Sequence, residues 1–373
     1  MQKALHSETL RTALAARGWT QTQLAKAVGV TSQAVTNWLK GSDFPRPATL
    51  LKLATILKLS FDQLVQQPVE GQPVVAFRKR AGTKTTDEHL IKARAMGMLL
   101  KPLVAFLPEV RALHTLITSP SIDYTRLQVA ASQARAKLGL GDLAALAYEQ
   151  LIAEFKTSGA VLVPVLWGQK QRHENALHIL LPQEDVTFIF LNLDTRLEDF
   201  KFWMAHELAH VYTPQLAGTV EGEDFADAFA GALLFPQACA EAAYRDAMRA
   251  TGAREVNALQ RHAAKCQISL NTVYQQVKRY AHASGLTPLR TPEKTMHAVR
   301  NSGTVQWVSQ TLFDPIPPQP AQYIAACENV FQTPIFQALA RMIHENGTGA
   351  SYVQQVLDMS VQDGMALHEE LRV

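Results

Sequence analysis

The stretch KFWMAHELAHVY, residues 201–212, decides how the middle of this chain folds. It holds neither proline nor glycine and its apolar residues recur at helical spacing, so we predict a helix over Leu197–Tyr212. Within that helix His206 and His210 share one face, where two imidazoles can reach a single zinc ion. Zinc held by two imidazoles and a third ligand keeps a position for water, whose proton the neighbouring Glu207 can take. The pattern is typical of hydrolytic chemistry.

A second stretch, EDFADAFAGALLFP, residues 223–236, offers the third ligand. If it is helical, Glu223 and Asp227 share one face. Glu223 can then complete the ligand set, and Asp227 can accept the second ring N–H of a liganding histidine and fix its tautomer. Glu221 and Asp224 compete for the third position, but Glu223 is preferred because Asp227 lies on its own face. The alternative is a surface helix with an incidental histidine pair and a solvated glutamate.

Short segments rich in Val, Ile, Leu and Phe precede the histidine helix. Ala160–Leu166, Ala176–Leu181 and Val186–Leu193 have the length and composition of strands, so we predict a small sheet. Further helices follow the site. Beyond Pro288 the signal weakens, and Thr304–Leu312 can be a strand. The predicted fold class is therefore mainly α with a small β-sheet, α+β.

Both stretches, with the strand TFIFLNLD before them, resemble the ImmA/IrrE family of zinc metallopeptidases. In that family a His-Glu-x-x-His helix is followed by a Glu-x-x-Ala-Asn/Asp-x-Phe-Ala segment that ends in Leu-Leu-x-Pro. On this match Glu223 takes the third zinc-ligand position. The remaining positions of the pattern hold Ala226, Asp227, Phe229, Ala230, Leu233, Leu234 and Pro236. The segment VVAFRKR, residues 74–80, is also similar to family members, and the likeness spans roughly residues 74–286.

The resemblance implies a zincin-like metallopeptidase domain that binds Zn²⁺ through a gluzincin-like ligand set, with Glu207 as the catalytic residue. It also implies an activity that can stay latent until triggered. In such peptidases the edge strand beside the zinc helix pairs with an extended substrate, and here Val186–Leu193 or a neighbouring strand could serve. For the group that stabilises the oxyanion the sequence leaves several candidates open. These are Tyr212, His262, Tyr274 and His282.

The first 67 residues have helical periodicity broken by turn signals, and they resemble an all-α helix-turn-helix domain of the Xre/Cro type. Gly29 supplies the tight turn between the two central helices. Gln33 and Asn37, exposed at the start of the second of these, are the best candidates for reading adenine in the major groove. The predicted DNA-contacting residues are Gln21, Thr31, Ser32, Gln33, Thr36, Asn37 and Lys40. The alternative is a domain that has lost DNA binding and docks other proteins.

The net charge of +3 hides an asymmetry along the chain. Residues 1–67 hold eight basic and three acidic side chains, a net charge of +5, which leaves 28 basic and 30 acidic side chains for the rest. We therefore predict a basic helix-turn-helix domain over 1–67, a linker over 68–75, a peptidase domain over 76–289 and a helical C-terminal extension over 290–373. The role of this extension is left open.

The composition also excludes some classes of protein. No apolar run reaches the roughly 18–20 clean residues of a membrane span, no signal peptide opens the chain, and the three cysteines lack CxxC spacing. We expect a reduced, cytoplasmic protein with no membrane partner.

The motifs together predict a zinc-dependent endopeptidase with a DNA-binding module. Family resemblance implies that it cleaves a repressor or antitoxin of the helix-turn-helix type in a stress, mobile-element or toxin–antitoxin circuit. Operator DNA is the other expected partner, and a homodimer would add specificity to weak monomeric binding. Two alternatives stay open. The chain is a DNA-binding regulator whose peptidase fold is a docking platform, or it is a toxin that a small Xre-like antitoxin masks.

Overall fold

The computed structural model describes residues 4–39, 43–66, 72–79, 87–108, 116–167, 174–302 and 305–373. The chain divides into two compact units, Met1–Gln72 and Pro73–Val373. The predicted linker over 68–75 falls partly outside the described residues. Its last two residues, Val74 and Val75, belong to a strand of the second unit, so the linker prediction extended too far.

The first unit is a small helical bundle. Its helices are α1 (Ser7–Ala16), α2 (Gln21–Val28), α3 (Ser32–Leu39), α4 (Pro47–Leu57) and α5 (Phe61–Leu64). A two-residue strand pair, β1 (Ala4–Leu5) with β2 (Val65–Gln66), joins its two ends and is an addition to the predicted helices. The core consists of apolar side chains that recur at helical spacing, such as Leu10, Leu24, Val35, Leu53 and Leu64.

Local chemistry defines where α2 begins and ends. Thr20 Oγ1 accepts a hydrogen bond from the backbone N–H of Gln23 at 3.3 Å, and Gln23 Oε1 accepts one from the Thr20 N–H at 2.7 Å. This capping box satisfies N–H groups that a helix start leaves free. At the other end Gly29 has φ +83°, a left-handed conformation that favours glycine. The turn predicted at Gly29 is confirmed.

The second unit is built on one four-stranded sheet. Its strands are β3 (Val74–Lys79), β4 (Ala160–Val165), β5 (Glu174–Leu181) and β6 (Val186–Asn192). They lie in the order β3-β5-β6-β4, in which only β4 and β6 run parallel. The three predicted strands are confirmed within two residues, and β3 from the VVAFRKR segment extends the sheet. Because β6 pairs on both sides, it offers no free edge, so Val186–Leu193 cannot pair with a substrate as the sequence suggested.

Helices surround the sheet. Before the site lie α6 (Asp87–Val104), α7 (Tyr124–Lys137) and α8 (Tyr148–Thr157), and the site itself is on α9 (Leu197–Tyr212) and α10 (Val220–Leu234). After it lie α11 (Gln237–Met248), α12 (Ala253–Cys266) and α13 (Leu270–Ala283). The fold is thus mainly helical with one small sheet, as predicted. No helix of the described residues is long and apolar enough to cross a membrane.

The C-terminal extension is helical. It contains α14 (Glu293–Ser302), α15 (Val308–Leu312), α16 (Pro320–Phe331), α17 (Ile335–Asn346), α18 (Ala350–Leu357) and α19 (Val361–Arg372). The expectation of a strand over Thr304–Leu312 is wrong, because Val308–Leu312 is a short helix. Within residues 305–312, Trp307 pairs with Arg196 in an isolated antiparallel β-bridge.

This extension closes one edge of the sheet. The hydroxyl of Tyr323 on α16 donates to the carbonyl of Pro164 at 2.5 Å, and Thr333 Oγ1 donates to the carbonyl of Leu162. Both carbonyls belong to β4. Pro164 lacks an N–H, which suits it to an edge strand. The extension therefore belongs to the same hydrophobic core as the sheet and covers an edge that would otherwise be exposed.

Candidate metal centre

Helix α9 carries the two histidines and the glutamate of the HELAH motif into the interior. The side chains of His206, Glu207 and His210 are at most 1 % exposed. Because the histidines are one helical turn apart, their Nε2 atoms lie 3.2 Å from each other. The shared face predicted from their spacing is confirmed.

Helix α10 brings a carboxylate to the same point. Glu223 Oε2 lies 3.4 Å from His206 Nε2, and Glu223 Oε1 lies 3.3 Å from His210 Nε2. The carboxylate thus straddles the two imidazoles. Among the described residues, one group of side chains of types that can bind a metal ion converges at a single point. It consists of His206, His210 and Glu223.

The start of α10 aims Glu223 at the histidines. Thr219 Oγ1 accepts a hydrogen bond from the Gly222 N–H at 2.9 Å and caps the helix. Gly222 packs so closely on the preceding loop that a Cβ there would lie 2.3 Å from the Leu216 carbonyl oxygen. The loop can therefore turn tightly between α9 and α10, and the first turn of α10 faces His206 and His210.

The donor set fits zinc. Nitrogen and oxygen ligands about 2.0–2.1 Å from a tetrahedral ion stand about 3.3 Å apart, which is close to the separations between the Glu223, His206 and His210 ligand atoms. Two imidazoles and one carboxylate are also the protein ligands of many catalytic zinc sites, which keep one position for water. These three side chains would hold the ion.

Asp227 fixes the tautomer of one histidine. Its Oδ1 lies 2.9 Å from His206 Nδ1. A carboxylate only accepts hydrogen bonds, so Nδ1 donates its proton to Asp227, and Nε2 is the ring nitrogen that faces Glu223. This is the contact that the common face of Glu223 and Asp227 predicted.

The histidines also govern the charge of Glu223. Burial raises the pKa of this carboxyl, but hydrogen bonds from His206 and His210 and their charges outweigh burial and lower the pKa to about 2. Glu223 is therefore ionised at neutral pH, the form in which it can bind a cation.

Sequence reasoning missed one residue of this site, His178 in the middle of β5. It is 1 % exposed, and its Nδ1 lies 3.7 Å from Glu207 Oε2. Its ring meets that of His210 edge-on, with 5.5 Å between centroids. Burial, followed by the neighbouring His210, lowers the pKa of His178 well below 6.5. The signal that could have revealed it is a single histidine inside an otherwise apolar strand, NALHILL.

The competing carboxylates do not join the cluster. Glu221 and Asp224 are exposed on the other sides of α10. The four candidates for stabilising an oxyanion also have other environments. The Tyr212 hydroxyl donates to Glu154 at 2.9 Å, and His282 is exposed.

The other two candidates are similarly occupied. Tyr274 donates to the carbonyl of Thr291 at 3.3 Å, and His262 pairs with Asp246 at 2.9 Å. None of the four is part of the group formed by His206, His210 and Glu223.

In the first unit, four of the predicted DNA-contacting residues are exposed (Gln21, Thr31, Ser32 and Gln33), and Thr36 and Asn37 are half-buried. Gln33 Nε2 donates to Asn37 Oδ1 at 2.9 Å, and Thr36 Oγ1 donates to Gln21 Oε1 at 2.9 Å. The hydrogen bond between Thr36 and Gln21 links the start of α2 to α3, and the one between Gln33 and Asn37 lies within α3.

Two other predicted residues lie at the start of α3. Ser32 is exposed there, whereas Thr31 Oγ1 accepts from the Ala34 N–H at 3.1 Å and so caps the helix. Lys40 lies outside the described residues.

A tight glycine turn followed by a helix with short polar residues on its exposed face defines a helix-turn-helix module of the DNA-binding class. Comparison with known families agrees, since a helix-turn-helix family model matches residues 10–64. No curated protein and no solved structure matches the chain.

Proposed function

We propose that this chain is a zinc-dependent endopeptidase joined to its DNA-binding helix-turn-helix module. The observation that carries the proposal is the convergence of His206 Nε2, His210 Nε2 and the Glu223 carboxylate within 3.2–3.4 Å of one another. The 2.9 Å contact of Asp227 to His206 supports it, because metal-binding histidines usually have such a partner.

Each residue then has a distinct task. His206, His210 and Glu223 would hold a zinc ion, which would supply a Lewis acid and lower the pKa of a bound water. The carboxylate of Glu207, next to His206 on α9, accepts the proton of the attacking water and delivers it to the nitrogen of the leaving amine. Asp227 keeps the His206 ring in the orientation that binding requires. This is the chemistry of amide-bond hydrolysis.

The sheet limits where an extended substrate can pair. The outer carbonyls of β4 at Leu162 and Pro164 already accept hydrogen bonds from the C-terminal extension. In the described sheet β3 is the other edge strand, and it runs beside β5, which carries His178. Substrate addition to the sheet is therefore expected on β3.

The substrate we propose is a regulatory protein, a repressor or antitoxin of helix-turn-helix type, in a stress, mobile-element or toxin–antitoxin circuit. This choice follows from the resemblance to the ImmA/IrrE family. The DNA-binding module would direct the chain to an operator, and a homodimer would increase its specificity.

A second candidate function is that of a DNA-binding regulator or toxin component whose peptidase fold mainly serves as a docking platform. The observation that favours it is the burial of Glu207, only 1 % exposed, which limits access of a substrate carbonyl to the base. A latent peptidase that needs a trigger would show the same burial.

Co-expression with short helix-turn-helix proteins encoded beside this chain separates the two candidates. Wild-type protein should produce a cleavage fragment, Glu207→Gln should not, and Glu221→Gln, an exposed carboxylate on α10, should cleave like wild type. A stable complex that forms equally with wild type and Glu207→Gln, without any fragment, would favour docking instead.

A further inference from the structure

His178 is buried in the sheet but has no role in the proposed mechanism of peptide cleavage. It lies in the middle of β5, where Ala76 of β3 pairs on one side and Ile189 of β6 on the other. Two flanking strands hold its backbone in place. Helix α9 packs against this strand, and the imidazole reaches Glu207 and His210 on the helix.

The Nδ1 atom of His178 is a buried polar atom that makes no hydrogen bond within the described part of the chain. Buried polar atoms in proteins are rarely left in that state, and one that is needs an explanation. The closest carboxylate is that of Glu207, with Oε2 at 3.7 Å. A movement of about 0.8 Å would bring the two atoms to ordinary hydrogen-bond distance.

We propose that His178 is a positioning residue, which donates a hydrogen bond from Nδ1 to Glu207 Oε2 and so orients the general base. This inference rests on the proposed peptidase function. A donor on one carboxylate oxygen fixes the rotamer of Glu207 and leaves the other oxygen to take the proton of water. Because β5 is paired on both sides, it is a rigid support for that donor.

The hydrogen bond itself can be tested without any substrate. Nitrogen-15 NMR of the full chain, loaded with zinc and carrying labelled histidine, reports which ring nitrogen of His178 bears the proton. We expect the proton on Nδ1, exchanging with water at least about tenfold faster after Glu207→Ala removes the acceptor. A proton on Nε2, or an exchange rate that Glu207→Ala leaves unchanged, would overturn the proposal.

Three substitutions of His178 separate positioning from packing. The amide of Asn can donate near the place of Nδ1, that of Gln donates nearer the place of Nε2, and Leu cannot donate at all. We expect kcat for the cleaved helix-turn-helix protein to fall about 10- to 100-fold in His178→Leu and His178→Gln, with KM within about twofold. His178→Asn should recover most of the lost kcat, and all three should keep the zinc content of wild type.

Equal losses in His178→Asn and His178→Leu, or losses that follow zinc content, would mean that the residue only packs. Failure of the proposed peptidase function would give another result. Glu207→Gln would then cleave as well as wild type, or neither protein would cleave. In that case the NMR measurement still decides whether His178 donates to Glu207.

Discussion

Asp227 Oδ1 lies 2.9 Å from His206 Nδ1 and connects α10 to the face of α9 that carries His206 and His210. The contact joins residues 21 positions apart. Nδ1 of His206 donates to Asp227, and Nε2 on the other side of the ring lies 3.4 Å from Glu223, one turn earlier on the same helix. In the proposed zinc site, Asp227 would orient the ring and Nε2 would bind the ion beside Glu223.

Replacing Asp227 with Asn should weaken zinc binding by about 10- to 100-fold, because an uncharged amide no longer accepts the Nδ1 proton as strongly. Competition with a chromophoric chelator measures the affinity. Asp224→Asn is the matched control, since Asp224 is exposed on the same helix and should bind zinc like wild type. Equal affinities for both variants would reject the role of Asp227.

The stability of the zinc-free protein should depend on Glu223 in a defined pH range. Burial raises the pKa of Glu223, but His206 and His210 lower it to about 2, below the 4.5 of an unperturbed carboxyl. A lowered folded-state pKa gives stability that is present above about pH 4.5 and is lost as the pH falls toward 2.

Urea unfolding of wild type and Glu223→Gln checks this dependence. The difference in free energy of unfolding should shrink by at most about 3 kcal/mol between pH 5 and the lowest pH at which the protein folds. Glu221→Gln, which changes an exposed carboxylate, should show no such trend. A difference that stays constant with pH would contradict the ionised state of Glu223.

The closed edge of β4 gives a stability prediction for the C-terminal extension. Tyr323→Phe and Thr333→Val each remove the donor to a buried β4 carbonyl, so each should lower the free energy of unfolding by about 1–3 kcal/mol. Thr311→Val removes an exposed hydroxyl that bonds only within its own helix and should change little. Similar values for all three variants, measured by urea unfolding, would argue against edge closure.

If Gln33 and Asn37 read bases, replacing them should weaken DNA binding in a way that depends on the DNA sequence. Gln33→Ala together with Asn37→Ala should reduce binding to the chain's own upstream DNA by about 1–3 kcal/mol per lost base contact and relax its sequence preference. Mobility shifts at several salt concentrations measure both effects. Thr55→Ala, on the exposed side of α4, should leave binding unchanged. Weaker binding with an unaltered preference would mean that the two residues do not read bases.

Helical spacing was enough to bring together most of the site. His206 and His210 are one turn apart, and Glu223 and Asp227 are one turn apart, so each pair has its geometry within a single helix. Helical spacing does not show that α9 packs on α10. That contact could be inferred because the carboxylates of one helix can complete a ligand set with the histidines of the other.

The features that sequence reasoning missed depend on contacts between distant segments. His178 reaches Glu207 only through the register of β5 in the sheet. Tyr323 and Pro164 are 159 residues apart, and no local pattern relates them. Periodicity predicts which face of an element is buried, but it does not predict which distant element covers that face.

Zinc content of the purified chain tests the central claim most directly. Elemental analysis should find about one zinc per wild-type chain and much less in His206→Ala, because removing one imidazole leaves two of the three protein ligands. His262→Ala, a histidine paired with Asp246 and not part of the ligand set, should keep the wild-type content. Equal and substoichiometric zinc in wild type and His206→Ala would contradict the account.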